Sequence, residues 1–365
     1  MEKAKISPGQ LAALIFLFEM GTALVVSLGL KAEKDAWLAI LLGLAGGMGL
    51  FGVYVSLYRQ FPDHPLTSYV RIILGRWIGW PLGLLYVLFF IYGAARDLRD
   101  GADLLISSVL DQTPMIAVSS IMILTTGYVL HKGIEVLART AQIYFAVLII
   151  LGVLSNFLLA VSGVIDIDRL LPVLEKGWSP VIRTTLTQSF EFPFAEMICF
   201  TMLLPYLNRP AKGIKLGMMT LLAGGLVLSF SSAMDIAVLG VDIAGRATFP
   251  LLMAVSLVNI KEFIQRMDVL VVMTLIIGDF FKVAVFYYAA VQGATDIFRI
   301  RDHRRLVYPI GLIILFISAI IAANFSEHIE EGNFALMTVF LLFGVVIPIV
   351  LWGAAWIRKA LRQSP

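Results

Sequence analysis

Charge is scarce in this chain. Only 15% of its 365 residues are Asp, Glu, Lys or Arg, against about 25% in an ordinary soluble domain. Too few charged side chains remain to clothe a soluble globule. Cysteine is nearly absent as well: Cys199 stands alone, which excludes an internal disulfide and a thiolate metal site. The histidines His64, His131, His303 and His328 fall near predicted loops, with no His-x-x-x-His spacing among them. No Ser–His or Cys–His constellation and no metal set is visible, so a membrane acyltransferase or protease is disfavoured and no cofactor is expected. The net charge of +3 comes without the basic clustering that would suggest nucleic acid.

What is abundant is apolar sequence. Hydrophobic residues make up 59% of the chain and the mean hydropathy is +0.91. They come in runs of about 18 or more, the length that crosses a bilayer as a helix. The shorter alternating segments of a membrane β-barrel do not occur. The fold class is therefore an all-α polytopic membrane protein. Its expected spans are 8–30, 36–58, 77–109, 113–131, 138–162, 184–206, 213–239, 267–298, 306–324 and 334–357. The apolar stretch 248–260 is too short to cross and is expected as an interfacial or re-entrant helix. The basic N-terminus MEKAKISPGQ precedes a long run without a small-residue cleavage site, and is expected to lead a retained first helix. With both termini in the cytoplasm, inner segments carry roughly twice the Lys and Arg of outer ones. RIRDHRR (299–305) then reads as an anchor at the inner surface, and Glu327, Glu330 and Glu331 as a solvated outer loop.

Charges within the spans are few and unevenly placed. Span one holds Glu19. Span three holds Arg96, Asp97, Arg99, Asp100 and Asp103. Span six holds Glu191 and Glu196, and span eight holds Asp279 and Lys282. Apart from Asp235, expected at a solvated end of span seven, these are the first and third helices of each half of a ten-helix chain. That pattern suggests an inverted repeat of five plus five helices, 8–162 and 184–357, whose first helices break at mid-membrane. The octapeptide SFEFPFAE (189–196) fits such a break. Pro193 lacks an N–H and its ring crowds the carbonyl four residues back. Freed main-chain groups cannot face lipid and must line a cavity or find partners. EMGTALV (19–25) is the matching place in span one, where Gly21 permits unwinding and Thr22 adds a hydroxyl.

A charge at the bilayer centre costs about 2.5–3.5 kcal/mol on insertion scales, so most should be paired. Helical spacing offers Arg96–Asp100, Arg99–Asp103 and Asp279–Lys282. Span three thus reads either as a self-neutralised structural cluster or as part of a site. Acids outnumber bases, so some must carry protons, meet water, or face a cationic ligand or ion. Lys282 is a candidate to hold a ligand carboxylate while Glu196 faces its ammonium. Phe281 and Tyr287 read as packing residues first and cavity residues second.

The segments KISPGQLAALIFLFEMG, LGRWIGWPLGLL, ARDLRDGADLL, RLLPVLEKGWSPVI and FPFAEMICFTMLLPYL together resemble the spore germination permease family, the B subunits of germinant receptors. The resemblance runs along essentially the whole chain. It implies a fold of the LeuT type, shared with the amino acid/polyamine/organocation transporters. It also implies a place in the inner membrane of the spore, an A subunit and a C lipoprotein as partners, and a small nutrient such as an amino acid as ligand. An ion-coupled amino acid transporter, using H⁺ or Na⁺, is the alternative. By position, the ligand-binding residues are expected to be Gly21, Thr22, Phe190, Phe194, Glu196 and Lys282, with Glu19 beside them. Arg96, Asp97, Arg99, Asp100, Asp103, Glu191 and Asp279 form the intramembrane charge network. The chain has Ala195 where the family pattern has glycine, and the added methyl is expected to narrow the pocket or shift the break.

Overall fold

The computed structural model describes residues 4–26, 28–257 and 268–363. It is nearly all helix. Helices α1 (Pro8–Val25), α2 (Ala36–Gln60), α3 (Leu66–Ser108), α4 (Met115–Lys132) and α5 (Ile134–Ser162) make the first half. The second half comprises α6 (Trp178–Thr184), α7 (Pro210–Leu239), α8 (Val241–Arg246), α9 (Pro250–Ser256), α10 (Asp268–Ile297), α11 (Arg304–Ile320), α12 (Phe325–Ala335) and α13 (Ile347–Gln363). Seven helical stretches among the described residues are long and apolar enough to cross a membrane. The outer face of α5 exposes Ile143, Ile150, Val153 and Phe157, as lipid contact requires. The protein is a multi-pass membrane protein.

Several boundaries differ from those expected. Span one ends at Val25 rather than at 30. α3 carries a separate helical piece over 66–74; Gly75 (φ 78°, ψ 173°) breaks the helix there, so the long second piece begins close to the expected 77. The last span starts at Phe325 rather than at 334. There α12 runs through a widened π-helical stretch, Leu336–Val346, into α13. Of the expected re-entrant segment, Pro250–Ser256 is helical, and residues 258–260 lie outside the described residues.

Both expected breaks are present. α1 opens with a reciprocal cap, in which Ser7 and Gln10 exchange side-chain and main-chain hydrogen bonds with Pro8 between them. Its backbone leaves the helix at Gly21 (φ −42°, ψ −121°). α6 loosens into a π turn over Thr185–Ser189, loses helical form through Phe190–Phe194, and continues as 3₁₀ turns over Ala195–Met202 and Leu204–Tyr206.

Glycine seams let other backbones approach these breaks. On α2, a Cβ at Gly43 would run into the Ser189 carbonyl, and one at Gly47 into Phe194. Where α1 crosses α10, a Cβ at Gly278 would lie 3.1 Å from the Gly21 Cα. Close approach of this kind substitutes dispersion contacts for a hydrophobic drive that lipid does not supply. The Tyr54 hydroxyl of α2 donates to the carbonyls of Ala195 (3.0 Å) and Gly344, tying the second break to the last span.

One end of the bundle is closed. Ile6 N–H donates to the Tyr206 carbonyl (2.9 Å), Asn208 N–H to the Ile6 carbonyl (3.0 Å), and Lys5 to the Pro205 carbonyl (3.1 Å). Arg71 of α3 pairs with Asp296 of α10 at 2.7 Å, and Thr67 and Ser68 donate to the same carboxylate. The Tyr54→Phe substitution should cost about 1 kcal/mol, the net worth of a buried hydrogen bond. A lowered melting midpoint of the detergent-solubilised protein, with unchanged helical circular dichroism, is the expected result.

Candidate functional site

A cavity of about 810 Å³ enters from the end opposite the closed one. Its mouth is formed by Leu30 and Lys31 after α1, by Gly245–Thr248 after α8, and by the start of α12. Its depth reaches Asp97 and Asp100 of α3 and Phe192 and Glu196 of the second break. The two interruptions and α3 therefore meet at one place, as the charge pattern implied.

Beneath the floor sits Lys282 of α10, fully buried and outside the cavity lining. Its ammonium lies 2.7 Å from a Glu196 oxygen, 2.7 Å from the Thr22 hydroxyl and 3.7 Å from Asp97 Oδ1. Thr22 donates onward to Asp97 Oδ1 at 3.1 Å. The Phe192 ring covers the ammonium with its centroid 4.0 Å away, a cation–π contact strengthened by desolvation. A Cβ at Gly21 would meet Lys282 Cβ and Cδ at 2.8 and 2.9 Å. The glycine that lets α1 unwind also makes room for the lysine stem. Lys282 thus binds protein carboxylates and lies behind the cavity lining.

The other expected residues divide. Glu196 lines the cavity, with Gly21 and Thr22 directly beneath. Glu19 is fully buried, facing Gly224 of α7. Neither of its oxygens has a hydrogen-bond partner among the described residues. Phe190 and Phe194 pack against Gly46 and Gly47 of α2, away from the cavity. The loss of helical register turns Phe192 inward in their place. Glu191 is buried, and its Oε2 has no partner among the described residues. Ala195 aims its methyl at Gly344, so it does not narrow the cavity. Phe281 packs on Tyr144, and the Tyr287 hydroxyl donates to the Val307 carbonyl, so both serve packing.

Pairing within the charge network is only partly local. Arg99 binds Asp103 at 2.9 Å, as spacing suggested, and also the Ser318 and Ala322 carbonyls. Arg96 does not take Asp100; it pairs with Glu331 of α12, which also accepts from Tyr92. Asp100 instead meets the His328 ring at 2.9 Å. Asp279 does not take Lys282; it is fully buried against Gly101 of α3, its oxygens without a hydrogen-bond partner among the described residues. Glu331 and His328 were expected in a solvated loop and near a loop, yet His328 is fully buried. Because α12 begins nine residues earlier than hydropathy suggests, both fall on a helix beside the cavity, where they pair with the lining residues Asp100 and Arg96. Asp235 is half-buried beside Leu28 and Pro250 rather than solvated.

The profile of the family described as spore germination protein matches residues 5–326. The chain belongs to that family. This family member is similar to spore germination protein KB of Bacillus subtilis (strain 168), with 40% identity over all of this chain and 98% of the relative. It also resembles solved structures in fold. One is Mhp1, a nucleobase-cation-symport-1 family transporter, at TM-score 0.70 and 14% identity, covering 93% of this chain and 76% of that one. Another is MhsT, solved with L-phenylalanine, at TM-score 0.69 and 13% identity, covering 95% and 89%.

Removing Lys282 leaves two buried carboxylates without their cation. Lys282→Ala should destabilise this germination protein by about 3–5 kcal/mol, the usual cost of halving a buried ion pair. Lys282→Met combined with Glu196→Gln should recover much of that loss. Melting midpoints of the purified variants check both, and equal losses in the single and double variants would contradict the pairing.

Proposed function

We propose that this chain is the nutrient-binding B subunit of a spore germinant receptor, acting beside an A subunit and a C lipoprotein in the inner membrane of the spore. The observation that carries the reading is the cavity, which ends on Glu196 and Asp97 between the two broken helices while the opposite end of the bundle is closed. The ligand class that fits is a small nutrient, most simply an amino acid. Glu196 and Asp97 would receive a cationic group. Gly21, Thr22 and Lys282 would hold those carboxylates in place.

The proposal extends to topology. Ten crossings arranged as five plus five, 8–162 and 184–357 with the boundary shifts given above, account for the paired breaks. Both termini then lie in the cytoplasm, and the cavity opens on the opposite side. A nutrient that binds one arrangement of the broken helices better than another shifts their populations. That shift biases the partner subunits by no more than the difference in affinity.

Sequence and fold also support transport of an amino acid coupled to H⁺ or Na⁺, since Mhp1, of similar fold, is a nucleobase-cation-symport-1 family transporter. Uptake of labelled amino acids into proteoliposomes separates the two readings. Concentrative uptake by the chain alone favours transport; binding without uptake favours sensing.

Glu196→Gln keeps the volume of the side chain and removes its charge. Spores carrying it should lose their nutrient response, with germination followed by loss of optical density and the amount of protein by immunoblot. A normal response at normal abundance would remove Glu196 from the site.

A further inference from the structure

The deep wall of the cavity carries four charged side chains: Arg96, Asp97, Asp100 and Glu196. Three are already occupied from within the protein. Glu196 holds Lys282, Asp100 holds His328, and Arg96 holds Glu331. Asp97 keeps one acceptor: its Oδ2 is buried without a hydrogen-bond partner among the described residues. At this wall a buried Asp97 oxygen without a hydrogen bond among the described residues therefore sits next in sequence to a cation, Arg96, whose site is filled by a side-chain carboxylate.

That carboxylate is loosely placed compared with the others. The Glu331 side chain is 29% exposed, whereas the Asp97 and Glu196 side chains are 6% and 4% exposed. The Arg96 guanidinium lies against the α-carbon of Gly332, where any Cβ would strike Nη2, so its charged end is sandwiched on α12. α12 is held at the cavity by polar ties. Besides Glu331 with Arg96 and Tyr92, His328 meets Asp100, and Asn333 accepts from Lys31 at 2.7 Å. Each tie reaches a residue that lines the cavity or its immediate neighbour on the wall.

We infer that Arg96 recognises the carboxylate of the ligand, and that Glu331 is a resident competitor for it, so that an entering amino acid displaces Glu331 and releases α12. Guanidinium and carboxylate form charge-assisted, often bidentate, pairs. A ligand carboxylate offers Arg96 the same chemistry as Glu331. An α-amino acid adds an ammonium for the unpartnered Asp97 oxygen, which a glutamate side chain cannot supply. A tethered competitor reduces the apparent affinity to the intrinsic one multiplied by the fraction of time the site is free. It also links occupancy to the position of α12 with no further contact. The inference rests on the receptor reading and names its ligand class and its first moving part.

The test uses spores whose germinant receptor contains this chain, with a mixture of the twenty common amino acids as probe and a mixture of sugars and nucleosides as control. Wild-type spores should respond to the amino acids. Glu331→Gln removes the competitor, so the half-maximal concentration should fall about fivefold or more at an unchanged maximal rate. Glu331→Asp should stay near wild type. Arg96→Gln should raise the half-maximal concentration more than about tenfold, the loss of one charge-assisted pair, and Arg96→Lys should restore part of it. A merely structural bridge would show reduced abundance and maximal rate in Glu331→Gln, with no gain in sensitivity, and that result overturns the inference. Wild-type spores that answer only to sugars or nucleosides overturn it too, while leaving the receptor reading intact. If deleting the chain leaves every nutrient response unchanged, the receptor reading falls and takes this one with it.

Discussion

An ammonium group sealed away from water must be surrounded by oxygens. Lys282 sets that constraint for the rest of the fold. Its partners come from three separate elements: Thr22 after the first break, Asp97 on α3 and Glu196 after the second break. None of these can shift without exposing a buried charge, at several kcal/mol. The lysine therefore fixes where the two interruptions lie relative to each other. The interruptions in turn need glycine: Gly21 and Gly278 let α1 and α10 cross at contact distance, and the Gly43 to Gly47 seam of α2 accepts the irregular chain of the second break.

Ion pairing also divides the acids by depth. Glu196 and Asp97 share one cation and line the cavity floor. Glu19 and Asp279 lie against Gly224 and Gly101, with no hydrogen-bond partner among the described residues. The two groups of acids therefore belong to different chemistry. The floor acids are held ready by a protein cation; the outlying ones sit where helices touch.

Much of this was legible in the sequence. Paired interruptions at Gly21 and around Pro193, and the charge of spans three, six and eight, pointed to one shared site, since charges in lipid must find each other. The Arg99–Asp103 pair followed from helical spacing. What stayed hidden depends on register and on distant partners. Spacing of i,i+4 made Arg96–Asp100 available, but Glu331 and His328, more than two hundred residues away, took those groups instead. Hydropathy could not reveal them, because their charge made the first turns of the last helix look like loop. Phe190 and Phe194 were expected from the resemblance by position; that Phe192 is the ring lining the cavity depends on how the chain leaves the helix there, which no sequence pattern displays. The run GLAGGMG (43–49) carried the signal for the α2 seam, in glycines spaced to expose one face.

Two kinds of attachment hold the walls of the cavity, and they answer to different perturbations. α10 packs most extensively against α3 and then against α1, largely through apolar and small side chains. Nothing dissolved in a water-filled cavity competes with such contacts. α12 is tied to the wall of the same cavity through carboxylate, imidazole and amide groups, and Phe325 packs its ring on Phe249. A solute bearing charge competes directly with polar ties and not with dispersion. The packed α1–α3–α10 assembly is therefore the frame against which a ligand acts. α12, joined to α13 through the widened turns of Leu336–Val346, is the wall on which such a ligand can act.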